Sequence, residues 1–455
     1  MSARRSLRLQ DARFSNYCLC LGLIFAALTF APRALGQDPE SPQVVSSRPE
    51  HAASQSVAPL AQLLTEAERN NPQIRAARQG WEAAKEVPSQ VSALPDPQVM
   101  LQEFTVGSPR PFAGYTNSNF AYIGLGVSQD LPYPGKLKLK GQIAKQDAGV
   151  AEQQYEAVRR SVLAEVKAAY FQLAYLSKTL AILQNDGQLL DQVEKAADAR
   201  YRSGMGNQQD VLQAQLEQTK LLGEITMHHL QAAKVEARLK ELLNRSQSSA
   251  DVEPSEVAET PLPQTFDELL AAAKAQNPEI SGAEDVVERQ KLQVDLAHKD
   301  FRPDFNLQYM WQRTDPEQYR AYYMLTFGVR LPIHRSRLHA ELAEAQDNLS
   351  RSQSDLEYQS QQVATELRVE YDTVEKTSDL LTIYRQGLIP QARAEFQAGI
   401  AAYQNNRQDF QPVLDAFLDV LKLDEQYWQN FADRETALAG IEEVTGLSLR
   451  EETKQ

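Results

Sequence analysis

The sequence feature that most constrains the fold is an internal repeat with a unit of about 200 residues. The segment "LTEAERNNPQIRAARQGWEAA" at 64–84 is echoed by "LLAAAKAQNPEISGAEDVVER" at 269–289. Aligned positions keep the same order in both copies: Asn71-Pro72 with Asn277-Pro278, Tyr201 with Tyr403, and Val211-Leu212 with Val413-Leu414. The repeat predicts that one structural unit is built twice.

Each unit contains two segments in which apolar residues alternate with polar residues or glycine. They lie at 97–103 and 120–131 in the first unit, and at 305–311 and 319–331 in the second. This period of two predicts four strands, each with one apolar and one polar face. Such strands are typical of outer-membrane barrels. A water-soluble antiparallel sheet with one face on a core has the same pattern, so the strands alone leave both readings open.

After each strand pair the hydrophobic period changes to about 3.5 residues, which predicts long helices of the coiled-coil type. We expect one helix over 138–203, on the order of 100 Å long, and a second over 337–403 with a kink at Pro390. The heptad positions of the second helix include Leu367, Val374, Leu381 and Leu388.

Each long helix should end in a tight turn and return as a shorter helix. Gly204 and Gly206 can take the left-handed conformation that closes a helix, and Asn405 and Asn406 can do the same in the second unit. Four strands are too few to close a membrane barrel, because about eight is the practical minimum and an open edge in lipid leaves backbone groups without partners. We therefore expect the chain to oligomerise.

The first 36 residues have the features of a secretory signal peptide: an arginine-rich start, the short apolar stretch "CLCLGLIFAALTFA", and small residues before Gln37. Both cysteines, Cys18 and Cys20, lie there, so the exported chain would have no thiol for a disulfide or a lipid anchor. The alternative, an uncleaved anchor, is disfavoured because the apolar stretch is shorter than the roughly 20 residues of a spanning helix. The predicted divisions are a signal peptide at 1–36, a disordered lead-in at 37–57, the first repeat at 58–250, the second at 251–447 and a tail at 448–455.

Composition and motifs argue against an enzyme or a nucleic-acid-binding protein. The formal net charge is −14, which disfavours binding to nucleic acid. Gly135-Lys136 resembles the end of a phosphate loop, but Leu137 stands where Ser or Thr is needed. His334 and His339 do not have the spacing of a metal-binding helix face. We therefore predict no catalytic residue, no cofactor and no metal site.

Three motifs carry a resemblance to a known family. Gln129–Lys136 reads Q-x-x-P-x-P-G-K, the first turn reads Y-x-x-G-x-x-x-x-x-D-V-L from Tyr201, and the second reads Y-x-x-x-x-x-x-F-x-x-V-L-D-A from Tyr403. With the repeat, they resemble the TolC-type outer-membrane efflux proteins over about residues 60 to 446. The resemblance implies a mainly α fold with a β-barrel contribution: long α-helical hairpins plus four β-strands per chain. It also implies that three chains form a 12-stranded outer-membrane barrel continued by a 12-helix periplasmic tunnel.

The resemblance further implies a function and partners. A homotrimer in outer-membrane lipid would be the passive channel of a tripartite efflux system, working with a periplasmic adaptor (membrane fusion protein) and an inner-membrane efflux pump. The Pro-Tyr-Pro-Gly-Lys segment is similar to the heavy-metal and cation branch of resistance-nodulation-division systems, so heavy-metal cations or small toxic compounds would be the substrates. Alternatives are the outer-membrane duct of a type I protein secretion system, or a periplasmic adaptor or coiled-coil structural protein. An adaptor should have one helical hairpin, whereas this sequence predicts two.

The same resemblance implies roles for individual residues. The periplasmic gate or constriction would comprise Asp210, Tyr403, Gln408 and Asp415, with Gln408 where well-known members have an arginine. The adaptor-docking turns would comprise Ser203, Gly204, Met205, Gly206, Asn405, Asn406 and Arg407. The barrel–tunnel junction would comprise Pro132, Pro134, Gly135, Lys136 and Pro332, and we expect Lys136, Lys138 and Lys140 to contact lipid phosphates. Asp210 also fits a helix first-turn carboxylate, and Asp415 a solvated helix face.

Overall fold

The computed structural model describes residues 56–104, 122–314 and 320–450. The predicted signal peptide and most of the lead-in therefore lie outside the described residues. In chain order the elements are β1 (Ser56–Ala58), α1 (Leu60–Asn70), α2 (Pro72–Ser92), β2 (Gln98–Phe104), β3 (Tyr122–Leu131), α3 (Lys136–Arg202), α4 (Gln208–Leu242), β4 (Val252–Pro254), α5 (Phe266–Gln276), α6 (Pro278–Asp300), β5 (Asp304–Thr314), β6 (Arg320–Arg330), α7 (Arg335–Ile383), a π-helical turn (Tyr384–Leu388), α8 (Ile389–Gln404) and α9 (Phe410–Thr445).

The same order of elements occurs twice. A short strand, two helices, two strands and a long helical hairpin run from β1 to α4 and again from β4 to α9. In the second copy α7, the π-helical turn and α8 replace the uninterrupted α3. The two copies meet where β1 and β4 pair in parallel, with Ser56 opposite Val252.

Four strands form one antiparallel sheet in the order β2-β3-β5-β6. Leu125 lies opposite Leu101 on β2 and Trp311 on β5, and all three side chains are exposed on one face. The other face is mostly polar: the Asn306 amide donates a hydrogen bond to the Ser128 hydroxyl, with the two atoms 3.0 Å apart. The prediction of strands with one apolar and one polar face is confirmed.

The long helix α3 contains 67 residues, which corresponds to about 100 Å. It begins two residues before the predicted start, at Lys136, and Val162, Leu173 and Leu183 are among its buried residues. Next to the sheet, α3 packs against α2 and α6, and α6 packs against α7. Farther from the sheet, α3 packs between α4 and α9, and α9 packs against α7 and α8. Each level is therefore a row of four helices, with α2 or α4 at one edge and α7 or α8 at the other.

The second long helix is interrupted directly before Pro390, the residue at which a kink was expected. The π-helical turn Tyr384–Leu388 lies there, because proline has no N–H to donate to the preceding turn. The wider turn also changes the register of the heptad. Leu381 is buried, as predicted, but Leu388 is 38% exposed, so the prediction that it continues the buried stripe is wrong.

Two buried asparagines join a short helix to the end of a long hairpin, once in each copy. The Asn71 side-chain oxygen accepts two backbone N–H bonds at the start of α2, at 2.8 and 3.2 Å. Its side-chain nitrogen donates to the Leu242 carbonyl at the end of α4, 2.9 Å away. Asn277 makes the same bonds at α6, with distances of 2.9 and 3.2 Å. It donates to the Val444 carbonyl of α9 at 3.0 Å. We call these the asparagine joints.

Candidate functional site

The first helical turn connects α3 to α4 at the end of the hairpin far from the sheet. Gly204 has φ +74°, and its N–H donates to the Tyr201 carbonyl at 3.0 Å. The Met205 N–H donates to the Arg200 carbonyl at 2.9 Å. This pair of bonds is a Schellman motif, which requires a left-handed residue at its centre. The predicted left-handed conformation of Gly204 is found, and Ser203 is the helix C-cap.

Gly206 is required in the same turn for a different reason from the one predicted. It does not have a positive φ. A Cβ atom at Gly206 would lie 3.0 Å from the Arg200 Cβ and 3.1 Å from the Tyr201 backbone nitrogen. The prediction of a left-handed Gly206 is therefore wrong, and the position needs glycine because the chain folds closely over the end of α3.

The second helical turn connects α8 to α9 with the same backbone bonds. Asn406 has φ +57°, and its N–H donates to the Tyr403 carbonyl at 3.0 Å. The Arg407 N–H donates to the Ala402 carbonyl at 2.9 Å. Asn406 therefore occupies the position of Gly204, three residues after the aligned tyrosine. Asn405 has φ −92°, so it is not left-handed as predicted, and its side chain instead donates to the Ala401 carbonyl.

One arginine ties the two turns together. The Arg200 guanidinium lies over the ring of Tyr403, with its central carbon 4.1 Å from the ring centroid. It donates to the Tyr403 carbonyl at 2.8 Å, to the Met205 carbonyl at 3.1 Å, and to the Asn406 side-chain oxygen. Arg200 was not among the predicted site residues. A basic residue in the last turn of a helix is a common capping signal, but it does not reveal a partner about 200 residues away.

The predicted gate residues Asp210 and Tyr403 are in contact. The Tyr403 hydroxyl donates to the Asp210 carboxylate, with 3.2 Å between the oxygens. The side chain of Tyr403 is buried. Burial, followed by the charge of Asp210 and its hydrogen bond, raises the pKa of Tyr403 to about 12. The tyrosine therefore keeps its proton at neutral pH and remains the donor in this bond.

Gln408 and Asp415, the other two predicted gate residues, have different neighbours. The Gln408 side-chain nitrogen lies beside Gly399, 3.8 Å from where a Cβ on that glycine would be. Asp415 is exposed on α9 and accepts a hydrogen bond from Gln411 at 2.7 Å. Gln411 in turn accepts a bond from Gln213 of α4, so this polar chain also connects the two hairpins.

The first junction between sheet and helix is held by ion pairs between one buried lysine and two more exposed aspartates. β3 ends before Pro132, and Gly135 precedes α3 with φ +92°. The Lys136 ammonium lies 3.1 Å from the Asp300 carboxylate and 3.0 Å from that of Asp304. Lys136 is 6% exposed, so the expectation that it contacts lipid phosphates is wrong. Its charge is neutralised inside the protein, whereas Lys138 and Lys140 are exposed.

The second junction has a different local geometry. β6 ends at Arg330, Pro332 follows, and α7 begins at Arg335. The Ile333 and Arg335 N–H groups each donate to a carbonyl two residues back, at 3.0 and 2.9 Å. Both junctions place a proline within two residues of the end of a strand, where its missing N–H prevents the hydrogen-bonded ladder from continuing.

No group of three or more His, Cys, Asp or Glu side chains within 56–104, 122–314 and 320–450 could hold a metal ion. No helix in the described part of the chain is long and apolar enough to cross a bilayer.

The chain has a four-stranded sheet continuous with two long helical hairpins, and each repeat supplies two of the strands and one of the hairpins. This architecture is that of a class of outer-membrane channel proteins. The chain belongs to the outer membrane efflux protein family, whose sequence model matches residues 63–245 and 269–447. This confirms the family indicated by the motifs. The comparison with curated protein sequences gave no match.

Solved structures show the same fold. The chain is similar to the outer-membrane channel OprN, with 17% identity, a TM-score of 0.75, and coverage of 86% of this chain and 90% of that one. CusC gives 19% identity and a TM-score of 0.74, with 86% of this chain and 92% of that one covered. VceC from Vibrio cholerae gives 17% identity and a TM-score of 0.74, with 86% of this chain and 97% of that one covered. At these identities the likeness concerns the fold.

Proposed function

We propose that this protein is the passive outer-membrane duct of a tripartite efflux system. Three chains would form one passage through the outer membrane and the periplasm, and an inner-membrane pump with its periplasmic adaptor would drive transport. The observation that carries the proposal is that, within residues 56–104, 122–314 and 320–450, neither the sheet nor the row of helices closes on itself. Each of these two layers ends in two edges.

The edges of the sheet have complementary directions. In the part of the chain that the structure describes, β2 pairs with β3 alone and β6 pairs with β5 alone. All neighbouring strands are antiparallel, so β2 and β6 run in opposite directions. β6 of one chain can therefore continue the ladder with β2 of the next. Such a head-to-tail contact closes into a ring, and three chains would supply 12 strands with no free edge in lipid.

The edges of the helical row carry apolar side chains that a second chain would cover. On α4, Leu212, Leu216 and Leu230 are 49–56% exposed and lie at helical spacing. On the opposite edge, α7 exposes large side chains, namely Tyr358, Val369, Leu380 and Ile383. Packing α4 of one chain against α7 and α8 of the next would bury both stripes and give 12 helices at each level.

The turns at the far end fit the roles of gate and docking surface. The proposed adaptor-docking residues Ser203, Gly204, Met205, Asn405, Asn406 and Arg407 are exposed, and Gly206 is partly exposed. The contacts of Arg200 and Asp210 with Tyr403 would hold the two hairpins together at rest. We propose that docking separates them, and that Asp415 and Gln408 line the constriction near the same end.

Planar-bilayer recording of the purified full-length protein tests this proposal. We expect discrete conductance steps, small at rest because the turns are linked. The Tyr403→Phe and Asp210→Ala variants each remove the 3.2 Å hydrogen bond and should increase the open fraction. Absence of any conductance from protein that inserts into the bilayer would overturn the proposal.

A further inference from the structure

The two adjacent histidines of α4, His228 and His229, lie in different environments. His229 is exposed, whereas the side chain of His228 is only 12% exposed. Nε2 of His228 lies 3.4 Å from Oε1 of Glu425, a residue of α9. The contact therefore joins the first helical hairpin, α3–α4, to the second, α8–α9. It lies about 30 Å along α4 from Gln208, the first residue of that helix.

The third helix at this contact is α3. The Tyr175 hydroxyl donates to the same Oε1 atom of Glu425, with 3.2 Å between the two oxygens. Burial, followed by the charge of Glu425 and the hydrogen bond to it, raises the pKa of Tyr175 to about 12. The tyrosine therefore stays neutral at neutral pH. It fixes the position of the carboxylate without neutralising the charge.

Further charged side chains in this region are one cation and two acids, namely Lys178 of α3, Glu224 of α4 and Asp433 of α9. Lys178 lies over the ring of Trp428, with Nζ 5.5 Å from the ring centroid, and the two acids are exposed. Among the described residues, no lysine or arginine forms an ion pair with Glu425. The carboxylate therefore gains a cationic partner only when His228 is protonated.

A second ion pair between the same two hairpins shows what a histidine changes. Lys167 of α3 pairs with Glu442 of α9, with 2.7 Å between nitrogen and oxygen. Lysine side chains stay charged from pH 5 to pH 8, so such a pair is permanent. Histidine is the side chain that changes its charge within this range. The contact of His228 is therefore an ion pair in acid, and a hydrogen bond from a neutral ring at higher pH.

An unused hydroxyl on α3 suits the protonated ring. Nδ1 of His228 and Oγ1 of Thr179 are both buried, and neither has a hydrogen-bond partner among the described residues. Thr179 follows Tyr175 by one turn of α3, and its hydroxyl lies beside the tyrosine hydroxyl. A neutral ring that donates from Nε2 leaves Nδ1 as an idle acceptor. A protonated ring carries a second N–H at Nδ1, for which a threonine oxygen is an acceptor.

We propose that His228 and Glu425 form a proton-controlled clasp, which holds the two hairpins together in acid and loosens at neutral pH. This inference rests on the proposed duct, in which opening separates the hairpins. The protonated ring attracts the carboxylate only while the hairpins are in contact, so protons bind more tightly to the closed duct than to the open one. Acidification should therefore shift the duct toward its closed state.

Single-channel recording of the full-length protein at about pH 7.5 and about pH 5.5 tests the clasp. We expect acidification to lower the ratio of open to closed time about three- to fivefold in the wild type, the scale of a partly exposed ion pair. His228→Gln should lose most of this response, because an amide does not titrate. His229→Gln, at the exposed neighbouring position, is the matched control and should respond as the wild type does.

Two further variants keep the outcome unambiguous. Glu425→Gln removes the charge from the more exposed partner, so it should fold normally and also lose the response. His228→Lys keeps a positive charge and should hold the ratio low at both pH values. A conducting protein whose pH response is the same in the wild type and in His228→Gln overturns the clasp and leaves the duct standing. Inserted protein without any conductance contradicts the proposed function itself.

Discussion

The two asparagine joints and the two helical turns come from the same duplication, but they have diverged to different extents. The joints keep the same residue and the same bonds, with Asn71 reaching Leu242 and Asn277 reaching Val444. The turns keep only their backbone hydrogen bonds, centred on Gly204 and Asn406. The joints do the same task twice, so the same side chain serves both. The turns bind each other, and binding needs complementary side chains, such as the Arg200 guanidinium and the Tyr403 ring.

The largest expected effect is at the joints. Asn71→Ala removes a helix N-cap, which contributes about 1 kcal/mol, and leaves the buried Leu242 carbonyl without its donor, which costs about 1–3 kcal/mol more. Asn277→Ala should lower the free energy of unfolding by a similar amount, about 2–4 kcal/mol. Denaturant unfolding followed by circular dichroism measures both. Asn70→Ala and Gln276→Ala, at exposed neighbouring positions, serve as controls. If one of the two substitutions left the free energy of unfolding unchanged, the two joints would not be equivalent.

The next effect is on the link between the turns. Arg200→Ala removes a cation–π contact and three charge-assisted hydrogen bonds, together worth about 2–3 kcal/mol. Single-channel recording should therefore show at least a tenfold rise, on the order of 1.4 kcal/mol, in the ratio of open to closed time. Arg202→Ala is the matched control, because Arg202 is an exposed arginine of the same turn that forms a surface ion pair with Asp198. Equal open times for the two variants would rule out a linking role for Arg200.

A smaller effect separates backbone conformation from packing in the first turn. Neither Gly204 nor Gly223 has an atom within 4 Å of where a Cβ would be, but only Gly204 has a positive φ. Gly204→Ala should destabilise the protein by about 1 kcal/mol. Gly223→Ala, in the middle of α4, should stabilise it by about 0.5–1 kcal/mol. Thermal unfolding of the two variants should thus shift in opposite directions, and shifts of the same sign would contradict the conformational account.

The smallest effect concerns pH at the second joint. Burial, together with the charge of Glu366, raises the pKa of Glu443, and burial also raises the pKa of Glu366 and Glu370. These carboxyls bind protons more tightly in the folded chain than in the unfolded one. Their contribution to stability is therefore present at low pH and is lost as the pH rises through the raised values.

The expected difference in stability between pH 5 and pH 7 is less than about 1 kcal/mol, because Glu443 is partly exposed. Glu443→Gln should reduce this pH dependence of the unfolding midpoint. Glu357→Gln, at an exposed position of α7, should leave it unchanged. An unfolding midpoint that rises with pH in the wild type would contradict the prediction that protonation of these three carboxyls stabilises the folded chain.

The sequence was most informative where one local rule decides the structure. Alternation placed the four strands within a few residues of their described bounds, and the heptad pattern placed α3. Gly204 was found because a helix ending before glycine needs a left-handed residue. Leu388 was misplaced because the π-helical turn adds a residue to the heptad, and proline signals an interruption without specifying its form.

Contacts between distant segments could not be read from the sequence in the same way. Lys136 looked like one of three solvent-exposed lysines, and only the fold brings Asp300 and Asp304 to it. The contacts of Arg200 with Tyr403 depend on a pairing across the duplication, which a local pattern does not contain. The family resemblance assigned Asp210 and Tyr403 to the same predicted gate, but the hydrogen bond between them is seen only in the structure. No spacing rule would have suggested it.

The measurement that tests the account most directly is the native mass of the full-length protein extracted from outer membranes in mild detergent. If the edges at β2 and β6, and at α4 and α7, are subunit contacts, the particle should contain three chains, and monomers should be scarce. Recovery of the protein as a soluble monomer in the periplasmic fraction would contradict the account, because the open edges would then have no partner.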